Sequence, residues 1–245
     1  MIRDSSEMPF WDHLEELRWR LVKSIIAIII CAFIAYRFSD IIVNFLMLPA
    51  KEQTIDLNFQ VLKVTSMFSI KLSIALFGGI ILGLPIILYQ IWRFISPAFQ
   101  YNYGLSVILV ILFSSLFFFI GMSFAYYVII PFSLSFFTSL ANDKIEVAYD
   151  FTLESYIIYV IWIVFGSGLL FQLPIISTFL TRIGLLTPEF LRQYRKIAIV
   201  VFLIISAIIT PPDPLSQILM VIPLILLYEF SILISKLFKP SNSLV

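Results

Sequence analysis

Two carboxylates, Glu15 and Glu16, stand beside Arg18 and Arg20 in the segment Met8-Pro9-Phe10-Trp11-Asp12-His13-Leu14-Glu15-Glu16-Leu17-Arg18-Trp19-Arg20-Leu21. A partly desolvated carboxylate binds a guanidinium through short, charge-assisted bonds. Such a cluster can receive a cationic ligand, or it can pair internally at i,i+3 and i,i+4 along a helix. A second segment, Gln90-Ile91-Trp92-Arg93-Phe94-Ile95-Ser96-Pro97-Ala98-Phe99-Gln100-Tyr101-Asn102-Tyr103, is aromatic and broken by proline. That composition suits an interfacial aromatic belt, or a groove for an apolar, partly extended peptide. Catalytic chemistry finds little to work with. One histidine, His13, and one cysteine, Cys31, supply neither a metal or haem site nor an internal disulfide. There is no Gly-x-x-x-x-Gly-Lys loop for a nucleotide. No Ser/Lys, paired-Asp or His-x-x-x-His set lies in the apolar runs. The sequence therefore predicts neither an enzyme nor a bound cofactor or metal.

These groups are scattered through an unusually apolar chain. Of 245 residues, 61% are hydrophobic and 13% charged, where a soluble domain carries about a quarter charged. Lipid must solvate much of this surface. The net charge of +1 gives no footing for a nucleic-acid partner. The polar start, Met1-Ile2-Arg3-Asp4-Ser5-Ser6-Glu7, is not that of a cleavable signal, since the apolar run after it is long and lacks a small-residue cleavage site.

A hydrocarbon core of about 30 Å needs about 20 helical residues. The apolar runs predict an all-α, polytopic protein with about six transmembrane helices. The first four cover about Leu21–Leu48, Thr65–Tyr89, Leu105–Ile130 and Tyr156–Leu180. The last two, about Ile197–Thr210 and Leu215–Tyr228, are short and split by Thr210-Pro211-Pro212-Asp213-Pro214, which forbids one continuous helix. They form a short spanning hairpin or a re-entrant loop. With six spans both termini share a side with Arg3, Arg18, Arg20, Lys23, Arg93, Arg182, Arg192, Arg195, Lys196, Lys236 and Lys239, against Arg37, Lys51, Lys63, Lys71 and Lys144 opposite. The cation-rich side should be cytoplasmic. Residues 1–245 read as a single domain, with an amphipathic lead-in over about 8–20, where Leu14, Leu17 and Leu21 recur at helical spacing, and a polar tail over about 236–245.

Polar residues inside spans are costly and face protein or water. Gln172, beside Pro174, either bonds within the chain or meets a polar residue on a partner's helix. Glu229 either snorkels or pairs with a cation such as Lys236, or makes a contact within an assembly. Arg37 and Asp40 stand at i,i+3 and can pair, and Lys71 can snorkel outward. Gly79-x-x-x-Gly83 allows close helix packing, and Pro85, Pro131 and Pro223 shape their helices.

Taken together, these segments resemble the TatC family of twin-arginine protein translocases. The resemblance rests on His13-Leu14-x-Glu16-Leu17-Arg18-x-Arg20, on Pro85-x-x-x-Tyr89-Gln90-x-Trp92-x-Phe94-Ile95-x-Pro97, and on Phe124-Ala125-Tyr126-Tyr127 with Pro131. It continues in Gly166-x-Gly168-x-x-Phe171-x-x-Pro174 and in Thr210-Pro211-Pro212-Asp213-x-x-Ser216-Gln217 with Pro223. It implies a core and receptor subunit that binds twin-arginine signal peptides of folded cargo proteins at the cytoplasmic face. It further implies assembly with TatA- and TatB-like single-span partners into hetero- and homo-oligomers, driven by the proton-motive force in a bacterial inner membrane. An organellar membrane is the second possibility. By matching position the signal-peptide patch comprises Glu16, Arg18, Arg20 and Phe94, with Tyr103 where the family usually has a second carboxylate and Glu15 as a substitute for it. Gln172, where many relatives carry glutamate, becomes a partner-helix contact. Pro49, Pro85, Pro97, Tyr126, Pro131, Pro174, Pro212, Asp213, Gln217 and Glu229 become structural positions. The alternative, a secondary transporter of a small solute, lacks inverted halves and midplane charge.

Overall fold

A computed structural model describes residues 10–52, 58–95, 103–139, 150–210 and 213–237. Pro97 and Pro212 lie outside them, and of Tyr103 only its place in a helix is described. Helix α1 (Phe10–Arg37) is one piece, because nothing from Phe10 onward breaks it. Its 28 residues extend about 42 Å, more than the hydrocarbon needs. The lead-in is therefore the end of the first span and not a separate helix lying in the interface plane. Glu15 pairs with Arg18 at 3.3 Å and Glu16 pairs with Arg20, closing the i,i+3 and i,i+4 positions along it.

The chain turns at Phe38 into α2 (Ser39–Leu46) and α3 (Leu48–Lys51), where Pro49 occupies the first turn, which tolerates it. The turn takes Asp40 off the face of Arg37. Asp40 instead meets Lys71 at 2.9 Å, so the expected Arg37–Asp40 pair is replaced by a bond to the next helix. That helix, α4 (Ser66–Ile95), carries Pro85 in its interior.

Then α5 (Tyr103–Phe124) passes through a π-helical turn, Ala125–Ile129, into α6 (Ile130–Ser139). Pro131 cannot donate to the carbonyl four residues back, and its ring crowds it. A widened turn just before it relieves both problems. The fourth span is likewise two helices, α7 (Leu153–Leu170) and α8 (Leu173–Arg182), parted at Phe171–Gln172 because Pro174 withholds an N–H. A short α9 (Pro188–Gln193) follows, capped by Thr187, whose hydroxyl accepts from the Phe190 N–H at 3.1 Å.

The last pair is unequal. Helix α10 (Arg195–Ile209) has 15 residues, but α11 (Pro214–Leu237) has 24 and is not short. The sequence pattern stopped α11 at Glu229. In the structure Glu229 is neutralised by Arg195 at 2.7 Å, not by Lys236, and the helix runs on. Among the described residues five segments are long and apolar enough to cross a membrane, and α10 is not among them.

Among the described residues the fourth span is the most enclosed: its most apolar 18-residue stretch is 61% buried, against 11% for that of the first helix, so α7 is the hub and α1 is peripheral. Helix α1 packs almost wholly on α4. Its seam is the glycine pair, since a Cβ on Gly79 would lie 2.8 Å from the Ala32 Cβ and 2.9 Å from the Ala32 backbone. At the end away from Phe10, Tyr126 donates to the Phe45 carbonyl at 2.6 Å and Tyr156 to the Leu46 carbonyl at 3.0 Å. Ser66 Oγ donates there to Glu154 at 2.6 Å. Strands β1 (Asn58–Gln60) and β2 (Asp150–Thr152) pair in parallel above them, with Phe59 opposite Phe151. Periodicity could not reveal three-residue strands whose crossover contains three helices.

Candidate functional site

One end of the bundle gathers the cations and aromatics. The α1–α4 seam sets its register: Ala32 lies on Gly79 and Ile28 faces Gly83 at 3.8 Å. Continued along these antiparallel helices, that register brings Phe94 about level with Leu17, between Glu16 and Arg18. Trp92 meets Phe179 edge-on at 5.3 Å and so joins α4 to α8. Thr181 Oγ1 donates to Ser235 Oγ at 3.0 Å, and Tyr228 donates to the Leu191 carbonyl at 2.7 Å. The ends of α1, α4, α8, α9, α10 and α11 therefore share one surface.

On that surface the two carboxylates are not alike. The Glu15–Arg18 side chains are 63% and 65% exposed, whereas Glu16 and Arg20 are 23% and 14% exposed. An exposed pair contributes little and is screened by salt. The half-buried Glu16 carboxylate, which accepts from Arg20 Nε at 3.0 Å, is the stronger anchor for a guanidinium. Phe94, about level with it by the helix register, is half-buried, and Arg93 is held back against Tyr89, donating to its hydroxyl at 2.9 Å. Arg18 lies over the Trp19 ring at 5.5 Å. The arrangement can hold a cationic group on Glu16 and an apolar one against Phe94.

The sequence model described as Sec-independent protein translocase protein (TatC) matches residues 12–223. The chain belongs to the TatC family. It is 36% identical over 241 residues to the TatC protein of Desulforapulum autotrophicum, covering 97% of this chain and 88% of that one. To the TatC protein of Aquifex aeolicus it is 38% identical, covering 94% and 95%. A crystal structure described as the twin-arginine translocase receptor TatC superposes with a TM-score of 0.81 at 38% identity, over 92% of this chain and 99% of that one. Family membership makes the protein a non-catalytic component of twin-arginine translocation and a multi-pass protein of the bacterial inner membrane.

The other TatC motif residues fall into place as joints. Asp213 is the N-cap of α11: its Oδ1 accepts from the Ser216 N–H at 2.6 Å, with Pro214 at the first helical position. Gln217 Nε2 donates to the Leu203 carbonyl at 2.8 Å and ties α11 to α10. Ile209 lies against Gly166, about 20 Å along α7 from its first residue. The hairpin tip therefore stops well below the β1–β2 cap.

Gln172 is buried, and its Nε2 donates to the Ser114 carbonyl at 2.9 Å. Of its two alternatives, the bond within the chain is the one formed. Gln172→Leu is accordingly expected to lower thermal stability by about 1 kcal/mol, read from melting of the purified protein. An unchanged melting point with lost recruitment of a single-span partner would restore the partner-contact role.

Lys71, Arg195 and Ser114 were partners that the motifs did not announce. Arg195 could have been found as the cation nearest Glu229 across the hairpin. Ser114 sits beside Ser115 in a long run without charged residues, and nothing in its spacing marked it.

Proposed function

We propose that this chain is the core and receptor subunit of its translocase. It binds the twin-arginine signal peptides of folded cargo proteins on the cation-rich end of the bundle, which faces the cytoplasm together with both termini. From there it nucleates assembly with TatA- and TatB-like single-span subunits for export driven by the proton-motive force. The observation that carries this reading is the half-buried Glu16, level with the half-buried Phe94 along the helix register, at the end that also holds Arg93, Arg182, Arg192, Arg195 and Lys196.

The chemistry is an exchange of arginines. Glu16 and Glu15 are already satisfied by Arg20 and Arg18 along their own helix. An incoming arginine pair takes over those carboxylates, while the displaced side chains turn to water or to anionic headgroups. Arginine is preferred to lysine because its planar fork makes two parallel bonds to one carboxylate. The apolar stretch of a signal peptide then lies along Phe94 and its aromatic neighbours. By the family resemblance Tyr103, at the start of α5, takes the place of a second acid, and tyrosine is a residue type that binds arginine by hydrogen bond or cation–π contact.

The test is binding of a twin-arginine peptide, beside its twin-lysine variant, to the protein in lipid nanodiscs. A clear preference for arginine is expected, and equal binding of the two peptides overturns the receptor assignment. Orientation is tested with Val64→Cys in a Cys31→Ser background, since Val64 is fully exposed at the end opposite the cation-rich surface. An impermeant thiol reagent added to intact cells should label it. Labelling only from the cytoplasmic side of inverted vesicles would reverse the topology.

A further inference from the structure

Below the β1–β2 cap, between α2, α4, the π-helical turn and α7, lies a cavity of about 370 Å³. Ile42, Ile74 and Val164 line it, and Tyr126 projects into it from the π-helical turn. Such turns mark functional positions more often than packing alone would require. The cavity opens sideways between Phe45, Leu82, Phe119 and Tyr127, all exposed. An apolar cavity of this kind does not hold water, so it suits a hydrocarbon occupant.

A single acyl chain is far narrower than a helix, which with its side chains is about 10–12 Å across, and it fits lengthwise along the groove. The cavity follows α4 from Ile74 to Leu82, about 12 Å of its length.

Charge selects among lipids. Lys71 stands one turn before Ile74 on the stripe of α4 that lines the groove, and Asp40 precedes Ile42 by two residues. Their side chains pair 2.9 Å apart, 31% exposed for Lys71 and 76% for Asp40, one turn beyond the Ile74 end of the groove. Adjacent charges of opposite sign complement a zwitterionic headgroup: phosphate on Lys71, amine on Asp40.

We propose that this groove is a binding site for one amino-phospholipid of the phosphatidylethanolamine type, its acyl chain in the cavity and its headgroup on the Lys71–Asp40 pair.

The experiment takes the full chain from nanodiscs holding equal phosphatidylethanolamine and phosphatidylglycerol into mild detergent. Native mass spectrometry then reads the retained lipid. One retained lipid is expected, with phosphatidylethanolamine favoured about fivefold. Ser123→Phe, which fills the groove from an exposed lining position, should abolish retention. The surface double variant Asp40→Ala/Lys71→Ala should keep the lipid and lose the headgroup preference, with melting curves confirming that both proteins fold. Absence of lipid from the unaltered protein, or retention unchanged by Ser123→Phe, overturns the site. A preference for phosphatidylglycerol overturns the zwitterion assignment. A partner's transmembrane helix cross-linking to a probe at Leu82, with lipid displaced, would make the groove a helix site instead.

Discussion

Glu16→Ala is expected to weaken binding of a twin-arginine signal peptide by roughly tenfold, with membrane insertion unchanged. A charge-assisted hydrogen bond contributes about 1.5–3 kcal/mol. Part of that is offset here, because Arg20 must first release Glu16 and must find another partner. A net loss of about 1.4 kcal/mol corresponds to a factor of ten in affinity. Glu15→Ala, at a largely exposed pair, should cost less than a factor of about three. Phe94→Ala should fall between them, through loss of half-buried apolar surface. The order of the three variants is the informative part: a larger effect at Glu15 than at Glu16 would move the site out to the exposed face of α1. Peptide titration in nanodiscs measures all three.

Gly79→Leu is expected to destabilise the protein by about 3 kcal/mol or slightly more, the upper end of what overpacking costs. The first added carbon already lies 2.8 Å from one side chain and 2.9 Å from backbone atoms that cannot rotate away. The rest of a leucine has nowhere to go, so α1 must lift from α4. Gly83→Ala provides the contrast, because its new Cβ would sit at an ordinary 3.8 Å from Ile28 and should be tolerated. Thermal melting distinguishes the two. The Gly79 variant should also bind signal peptide poorly even where it stays folded, since the glycine seam sets the level of Phe94 against Glu16. Normal affinity in a folded Gly79→Leu protein would separate the recognition surface from that seam.

Much of this architecture was legible where a local rule was strict. Proline positions marked the tip before α11 and a reshaped helix at Pro131, because a missing N–H acts within one turn whatever surrounds it. The break before Pro174 went unread, since the fourth span read as one helix from about Tyr156 to Leu180. The glycine at 79 announced a close approach, though not its partner Ala32. Boundaries set by charge were misread. Glu229 and the Glu15–Arg20 cluster looked like ends of helices, yet both lie within helices, because partners neutralise them. Asp40 illustrates the same limit: its neighbour in sequence was a cation, but the turn at Phe38 gave it to Lys71 instead. The proposed recognition surface draws on a pair of segments that stand out in the sequence. Its depth was not legible there, since only the packing of α1 on α4 distinguishes the half-buried Glu16 from the exposed Glu15.

The central position of α7 has a consequence for how the molecule is made. Its partners α4, α5 and the π-helical turn all precede it in the chain, so they leave the ribosome first. The first two spans can mesh through the glycine seam as soon as both have entered the bilayer. The hydroxyls of Ser66 and Ser133, however, wait for Glu154 and Tyr159, which arrive later. Until then the third span sits in lipid with polar atoms uncovered, and a truncated chain ending near Asn142 would be a substrate for quality-control proteases. Synthesis of α7 converts that half-built bundle into a stable one, and the α10–α11 hairpin then closes against a surface already set.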